Sequence, residues 1–302
     1  MTNPKSKGSR HPGRGWRVEP PPASSPVTPI AQAAIRKPEL TNPRNPHLKQ
    51  ARALHQRKAR DETGLMVVEG IRHVGEAIEA QAQVEYLVYA PDLLESDFAY
   101  EVIEQQAAAG RRCYAVTGEV FATLAEKENP QGLLAVVRQT RAGLSDLHPA
   151  NFPWGVALVA PQDPGNIGTI LRTIDAVGAS GLLLLDGGAD PGHPNAVRAS
   201  MGALFWMPVV SATFDEFVQW VKRHGYHLYG TSAKGSVDYR ASGGYERPCI
   251  LLMGSEQKGL LPEQAAACER LIRLPMQGRV SSLNLAVAAG VMLYQMGVEE
   301  KK

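Results

Sequence analysis

Short, fully apolar segments, each followed by a stretch with helical periodicity, dominate the second half of this chain. Val156–Ala160, Leu182–Leu185 and Ile250–Met253 contain no polar residue, which is typical of strands buried on both faces of a parallel sheet. Further strands are predicted at Pro208–Val210, His227–Gly230 and Leu271–Leu274, and helices at Ile167–Val177, Phe214–Arg223 and Leu283–Met296. The pattern predicts an α/β fold whose ligands bind in loops beyond the carboxyl ends of the strands.

A smaller α/β unit precedes this region, and we expect it to span residues 47–140. Strands are predicted there at Gly64–Glu69, Val84–Ala90, Arg112–Val116 and Leu133–Val137, and helices at Ile71–Ala80, Phe98–Ala109 and Val120–Lys127. Residues 141–153 contain Gly143, Pro149 and Pro153 without an apolar period, which predicts a linker. The second domain is then expected at residues 154–302.

Positive charge is concentrated at the amino end. Residues 1–60 contain thirteen Lys or Arg and two acidic residues, although the net charge of the chain is only +2. Residues 1–46 also hold ten of the 22 prolines, which predicts a disordered basic tail. A basic helix is expected to begin near His47, and Arg57, Lys58 and Arg60 are its candidate contacts to RNA phosphates. A solvated helix without a nucleic-acid partner fits the same pattern.

Cysteine usage and hydropathy limit the class of protein. The three cysteines, Cys113, Cys249 and Cys268, are far apart and form neither a metal-ligand pair nor a disulfide framework. No apolar run reaches the roughly 18 residues of a membrane-spanning helix, and the Pro-rich amino end lacks the apolar core of a secretory signal. We therefore expect a cytoplasmic protein with no metal ion and no membrane partner.

The first loop that contains candidate functional residues follows the strand at Val156–Ala160. It contains Asn166 and Gly168, and Arg172 lies one helical turn beyond Gly168. Asn166 is suited to capping the next helix, and the glycine permits close approach of another backbone. A tight turn followed by a surface arginine explains the same residues equally well.

The second loop follows Ile250–Met253. Gly254 ends the strand, where the missing side chain is expected to leave room for a ligand, and Glu256 places a carboxylate at the mouth of the strand. The spacing does not match a P-loop. A plain connecting turn is the alternative.

The third loop joins the strand at Leu271–Leu274 to an Ala-rich helix. Ser282 is expected to cap that helix, with Leu283 and Asn284 in its first turn. Main-chain groups of such a loop can hold an adenine ring through hydrogen bonds.

Taken in order, the three loops resemble the motifs of the SpoU, or TrmH-like, branch of the SPOUT RNA methyltransferases. The family pattern N-x-G-x-x-x-R is matched by Asn166, Gly168 and Arg172. The pattern G-x-E-x-x-G-L is matched by Gly254, Glu256, Gly259 and Leu260. The pattern P-M-x-G-x-x-x-S-L-N is matched by Pro275, Met276, Gly278, Ser282, Leu283 and Asn284. The resemblance covers about residues 154–297.

The first domain resembles the substrate-binding domain of this family, which is similar to the ribosomal L30e fold. The residues that carry the resemblance are Arg57–Arg60, Gly64, Val68–Gly70, Glu76–Ala77 and Pro130–Gly132. Because small α/β domains recur widely, this match is less specific than the loop motifs. It implies a ribosomal RNA substrate, with transfer RNA as the alternative. A non-catalytic RNA-binding or ribosome-assembly factor on the same fold is the alternative to an enzyme.

The resemblance implies methylation of a ribose 2′-hydroxyl in RNA, with S-adenosylmethionine as the methyl donor. It also implies a homodimer and a trefoil knot in the second domain. The residues it assigns to the donor pocket are Gly254, Leu274, Met276, Leu283 and Asn284.

The same resemblance makes Arg172 the catalytic arginine. Because a guanidinium stays protonated, we expect Arg172 to orient the ribose and to stabilise negative charge on the attacking oxygen, and the proton acceptor stays open. Asn166, Ser282 and Asn284 are expected near the ribose, while Glu256 is expected to anchor Asn166 or the arginine. An unrelated α/β hydrolase would need a G-x-S-x-G nucleophile elbow, which these loops lack.

Overall fold

The structure, a computed structural model, describes residues 42–140, 142–241 and 244–297. The predicted disordered tail lies outside the described residues up to position 41. Within the described part of the chain, no helix is long and apolar enough to cross a membrane.

The first domain is a four-stranded mixed sheet covered by helices. Its strands are β1 Leu65–Glu69, β2 Val84–Tyr89, β3 Arg112–Ala115 and β4 Leu133–Arg138, in the order β1-β4-β2-β3. Strand β4 is antiparallel to β1 and β2, whereas β3 is parallel to β2. The helices are α1 Pro46–Ala53, α2 Arg57–Thr63, α3 Ile71–Glu79, α4 Asp97–Ala108 and α5 Gly118–Ala122.

The second domain is built on a parallel sheet of seven strands. In sheet order they are β7 Val209–Ala212, β6 Leu182–Leu185, β5 Trp154–Val159, β10 Cys249–Met253, β8 His227–Thr231, β11 Arg270–Arg273 and β9 Val237–Asp238. The helices are α6 Pro164–Val177, α7 Pro194–Ser200, α8 Ala203–Trp206, α9 Phe214–His224, α10 Pro262–Ala266 and α11 Leu285–Gly297. The predicted α/β fold with a parallel sheet is confirmed.

Both faces of this sheet are buried, as the apolar strands predict. Along β5, Val156 and Leu158 belong to a core packed by α6 and α11. Ala157 and Val159 belong to a second core packed by α9, which contributes Phe217 and Trp220. Since successive side chains of a strand point to opposite faces, a strand covered on both sides must be apolar throughout.

The predicted linker is a packed part of the second domain. Leu147 and Phe152 are buried in the core on the α9 face, and Trp220 Nε1 donates a hydrogen bond of 3.0 Å to the Leu147 carbonyl. A 3₁₀ helix at Leu144–Asp146 lies within it. The sequence prediction missed this packing because single apolar residues in a short irregular segment produce no hydrophobic periodicity.

The predicted basic helix is two helices. Helix α1 ends at Ala53 and α2 begins at Arg57. Arg60 folds back and donates to the carbonyls of Leu54 and His55 at 2.7 and 2.8 Å. The break is stable because these carbonyls receive hydrogen bonds from a side chain after the helix stops.

Three short elements escaped the sequence prediction: α7, α8 and β9. Helix α7 carried a local signal, since His193 accepts a hydrogen bond from the Asn195 amide and Pro194 occupies the first turn, where proline is favoured. Strand β9 has only two residues and exists through its pairing with β11.

Candidate active site

The first loop places Asn166 inside the domain rather than at the helix cap. Helix α6 begins at Pro164 instead of Ile167, and Asp163 is its N-cap, accepting from the Gly165 amide at 2.8 Å. Asn166 is buried in the first turn. The prediction that Asn166 caps the helix is therefore wrong, because the carboxylate of Asp163 accepts the hydrogen bond at the start of the helix.

Gly168 does permit close approach of another backbone. A Cβ atom at this position would lie 2.2 Å from the Ala196 carbonyl oxygen and 2.8 Å from the Ser200 nitrogen, both on α7. Helices α6 and α7 therefore touch at a point where no side chain fits.

The space left by the missing side chain of Gly254 is occupied by its own loop. A Cβ atom there would lie 1.9 Å from the Gly259 carbonyl carbon, because the loop turns back and Gly259 donates to the Ser255 carbonyl at 2.9 Å. The expectation that the missing side chain makes room for a ligand is corrected: the room is filled by Gly259. The residue still lines the cavity described below.

Glu256 holds the first loop. Its carboxylate accepts hydrogen bonds from the main-chain amides of Gln162 and Asp163 at 3.0 and 3.4 Å. It also accepts from Asn166 Nδ2 at 3.0 Å. The loops after β5 and β10 adjoin because these strands are neighbours. Glu256 thus anchors Asn166 and its loop, and Arg172 is not its partner.

Asn284, not Ser282, caps the last helix. Asn284 Oδ1 accepts from the amides of Ala286 and Val287 at 2.8 and 3.3 Å, and α11 begins at Leu285. The expectation of a Ser282 cap is wrong because Ser282 lies two residues too early and is exposed. Asparagine is as good a cap as serine.

One polar network joins all three loops. Asn284 Nδ2 donates to Asn166 Oδ1 at 3.0 Å, and Asn166 Nδ2 donates to Glu256. The side-chain amides of Asn284 and Asn166 each accept with the oxygen and donate with the nitrogen to different partners. The orientation of both amide groups is therefore fixed. We name this Asn284–Asn166–Glu256 chain the loop network.

A cavity of about 940 Å³ lies beside the loop network. All five residues predicted for the donor pocket line it: Gly254, Leu274, Met276, Leu283 and Asn284. Glu256 and Ser282 line it too. In the described part of the chain, the main-chain amides of residues 276–283 donate to no protein acceptor. A cavity that combines apolar side chains with free main-chain donors fits a purine nucleoside, which needs stacking surface and a few directed hydrogen bonds.

Several cavity residues were missed by the sequence prediction. Thr231 ends β8 and Lys234 follows it, Arg273 ends β11, and Lys258 lies in the second loop. The signal for the first three is positional, since they lie at the carboxyl ends of parallel strands. Lys234, Lys258 and Arg273 are exposed and give the cavity mouth a positive charge.

Arg172 stands apart from this cavity. It is exposed on the outer face of α6 and is absent from the cavity lining. Its guanidinium makes no ion pair or hydrogen bond with any residue that the structure describes. The free cation is suited to a phosphate or a developing oxyanion, but it does not reach the donor pocket of its own chain.

The three predicted RNA contacts divide into two groups. The side chains of Arg57 and Lys58 are exposed, with loose i,i+4 pairs to Asp61 and Glu62. Arg57 Nη1 also donates to the Gly188 carbonyl at 2.6 Å. Arg60 is only 1% exposed, and its Nε donates to Asp190 Oδ2 at 2.6 Å. The prediction that Arg60 contacts RNA phosphates is wrong, because its guanidinium is consumed by partners within the protein.

The cysteines are unsuited to nucleophilic catalysis. Burial raises the pKa of the Cys268 thiol to about 12, and the pKa values of Cys113 and Cys249 to about 11. At neutral pH they are protonated, and only the thiolate attacks. In the ranges that the structure describes, no group of three or more His, Cys, Asp or Glu side chains could hold a metal ion.

Comparison with known proteins gives two family matches, one for each domain. Residues 153–294 match the SpoU rRNA Methylase family, and residues 45–135 match the MRM3-like substrate binding domain.

Curated relatives match most of the chain. The 23S rRNA (guanosine(2553)-2′-O)-methyltransferase RlmP of Bacillus subtilis is 29% identical, over 85% of this chain and 98% of the relative. The 23S rRNA (uridine(2479)-2′-O)-methyltransferase of Streptomyces viridochromogenes is 32% identical, over 83% of this chain and 89% of the relative.

A solved structure agrees in fold. The AdoMet-bound rRNA methyltransferase of Sinorhizobium meliloti is 38% identical and superimposes with a TM-score of 0.77, over 85% of this chain and 96% of that one. The chain therefore belongs to the SpoU rRNA methylase family, and it is an RNA 2′-O-methyltransferase, as its three loop motifs predict.

Proposed function

We propose that this protein methylates a ribose 2′-hydroxyl of ribosomal RNA, with S-adenosylmethionine as the methyl donor. The observation that carries the proposal is the loop network, which joins the three motifs at the edge of a cavity suited to a nucleoside. The relatives named for 23S rRNA and the substrate-binding domain at residues 45–135 support ribosomal RNA as the substrate. We expect the protein to act in the cytoplasm, where that RNA is.

The donor pocket is the cavity beside the third loop. Leu274, Met276 and Leu283 offer apolar surface to an adenine ring, and the free main-chain amides of the loop residues that line the cavity, Met276 and Ser281–Leu283, offer directed donors. S-adenosylmethionine, when bound there, supplies an electrophilic methyl group. Asn284 lines the cavity while it also fixes the start of α11, so the pocket wall and the loop network share a residue.

The chain's own residues have three tasks in catalysis. Glu256 and Asn166 hold the first loop still, because both amide and carboxylate have fixed partners. Ser282, at the cavity edge, is placed to hydrogen-bond the ribose. Arg172 supplies a positive charge for the RNA phosphate and for the oxygen that becomes negative as it attacks. The proton acceptor is not assigned.

A homodimer accounts for the distance between Arg172 and the donor pocket. Helices α6 and α11 run side by side, from the Asn166–Asn284 bond at one end to the contact of Val177 with Gly297 at the other. Along the outer face of α11, Val287, Val291 and Tyr294 are 53%, 37% and 62% exposed. We name these three residues the α11 stripe. A second copy seated on it adjoins the outer face of α6 and hence Arg172.

The family resemblance also implies a trefoil knot, and we propose one in the second domain. The third loop and α11 are the segments that would thread it, since they form the last part of the described chain.

Two measurements test the function. Mapping of 2′-O-methyl groups in total RNA, with and without the gene, should reveal one ribosomal RNA ribose that loses its methyl group. Calorimetry with the purified protein should detect S-adenosylhomocysteine. Met276→Trp should abolish that binding by filling the cavity, whereas Val280→Trp should not, because Val280 lies on the same loop outside the cavity lining. Unchanged RNA methylation and no nucleoside binding, even with RNA present, would refute the proposal.

A further inference from the structure

A buried ion pair joins the two domains. Arg60, on α2 of the first domain, donates from Nε to Asp190 Oδ2 at 2.6 Å, and their side chains are 2% and 10% exposed. Asp190 belongs to the loop between β6 and α7 of the second domain, where its Oδ1 accepts from the Gly192 amide at 2.8 Å. Arg57 adds a bond of 2.6 Å to the Gly188 carbonyl of the same loop. Because Arg60 and Asp190 are both held by directed hydrogen bonds, the distance and the angle between the two domains are fixed here, which an apolar contact would not achieve.

A second charged cluster joins the domains at α7. Arg198 Nη2 lies 3.2 Å from Glu126 Oε2, and Arg198 Nη1 lies 4.0 Å from the buried Glu69 Oε2. Glu126 also lies 3.2 Å from His55 Nδ1. Its main-chain amide donates to Glu69 Oε2 at 3.0 Å. Glu69 and Glu126 belong to the first domain, so one arginine of the second domain is hydrogen-bonded to one of its carboxylates and lies beside a second, buried one.

The same helix α7 is locked to the catalytic helix α6. Gly168 of α6 touches the Ala196 carbonyl and the Ser200 amide so closely that no Cβ atom fits. Asn166 and Arg172 lie on α6, two residues before and four residues after this contact. A continuous path therefore runs from the first domain through Arg198 and α7 to the residues of the active site.

We propose that Arg60 and Arg198 are positioning residues that set the register between the RNA-binding domain and the catalytic helix. They determine which ribose of the bound RNA meets the methyl donor. The inference rests on the proposed function and adds a determinant of site selection to it. An error of about 1 Å in the position of a reacting group can cost about a hundredfold in rate. We therefore expect a loosened junction to lower turnover while the protein still binds RNA.

Arg198→Gln is the main test, because Arg198 is partly exposed and its loss threatens folding less than loss of the buried Arg60. S-adenosylhomocysteine affinity should be unchanged, and RNA affinity should change by less than about twofold, because the contacts to phosphates remain. Turnover at saturating RNA should fall about tenfold or more, and methyl groups should appear on riboses near the normal one. Arg198→Lys, which keeps the charge, should restore part of the turnover and the normal site.

Arg138→Gln is the matched control, since Arg138 forms an exposed ion pair with Glu85 and both residues belong to the first domain, so the pair does not join the two domains. Asp190→Asn provides an independent variant on the other cluster and should show the same loss of turnover and site fidelity. The probe is ribosomal RNA from cells that lack the gene, with sites read by 2′-O-methyl mapping.

Two outcomes overturn the inference. Turnover and a methylation site equal to those of Arg138→Gln, in both Arg198→Gln and Asp190→Asn, would leave the junction a merely structural contact. A parallel loss of S-adenosylhomocysteine binding, RNA binding and thermal stability would also mean that the junction is only a structural contact. The wild-type protein is measured beside them: if it transfers no methyl group to any RNA, the proposed function fails, and the inference fails with it.

Discussion

At the scale of single residues, the active site depends on neutral amides more than on charges. Asn166 and Asn284 connect loops that are 118 positions apart in the chain, and each uses its oxygen and nitrogen for different partners. An aspartate at either position would lose the donor that the network requires. Glu256 is the acceptor at the end of this chain, which suits it to anchoring rather than to proton transfer.

Arg172→Ala should lower turnover at saturating RNA while leaving S-adenosylhomocysteine affinity unchanged. The guanidinium is free of partners among the described residues and lies outside the donor pocket, and loss of one electrostatic stabiliser typically costs about 10²–10³ in rate. Single-turnover methyl transfer and calorimetry on the same preparation measure the two effects. Arg172→Lys keeps the charge but not the bidentate geometry and should recover only part of the rate. Wild-type turnover in the alanine variant would remove Arg172 from catalysis.

At the scale of elements, the contact between α6 and α7 decides where Asn166 and Arg172 lie. The fit leaves no space for a methyl group at Gly168, so the spacing of the two helices is set by backbone atoms. Backbone contacts cannot change rotamer to absorb an added atom. The glycine of the first motif is therefore a packing requirement inside α6.

Gly168→Ala should destabilise the protein and slow methyl transfer. The added methyl group would overlap the Ala196 carbonyl, and overpacking of a filled interior costs about 1–3 kcal/mol. Denaturant unfolding and turnover are the measurements. Thr173→Ala, at a partly exposed position on the same helix, should stay within about 0.5 kcal/mol of wild type. Equal stability of both variants would mean that α6 and α7 can separate at no cost.

At the scale of the whole molecule, the described residues form two surfaces that suit partners. The α11 stripe is apolar and exposed beside α6, and large exposed apolar groups in register on one helix mark association sites. Arg57 and Lys58 lie on the first domain with their side chains largely in solvent. We assign the first surface to a second copy and the second surface to RNA.

Tyr294→Glu should convert the proposed homodimer to a monomer and abolish methyl transfer. A carboxylate within an apolar contact loses its hydration without gaining a partner. Light scattering reports the mass, and calorimetry shows whether the donor pocket survives. Phe98→Glu is the control, since Phe98 is 46% exposed on the first domain. A Tyr294→Glu protein that stays dimeric would move the interface away from α11.

RNA affinity should fall steeply as salt rises, because each phosphate contact releases counterions. Lys58→Ala, which leaves the bond of Arg57 to the Gly188 carbonyl intact, should weaken RNA binding and flatten the salt dependence. Deletion of residues 1–45 should weaken binding less, since ordered charges lose less entropy on binding. Filter binding across a salt series separates the three proteins. Superimposable curves would mean that the basic stretch takes no part in binding.

The parallel sheet, its two buried faces and the three loops all follow from local sequence. Strands such as β6 are apolar throughout because both faces are covered, and this signal lies within four consecutive residues. The loop motifs are equally local, and strand order brings their loops to one edge. Five of the residues that line the cavity beside the loop network could therefore be named from the amino-acid sequence alone.

Which polar groups meet depends instead on the tertiary structure. Arg60 looked like Arg57 and Lys58 in sequence, yet it is buried because Asp190 lies 130 positions later at the same place. Gly254 looked like an opening for a ligand, but its own loop returns to fill the space. Such pairings depend on how two domains and distant loops dock, and no local pattern of charge or hydrophobicity encodes that geometry.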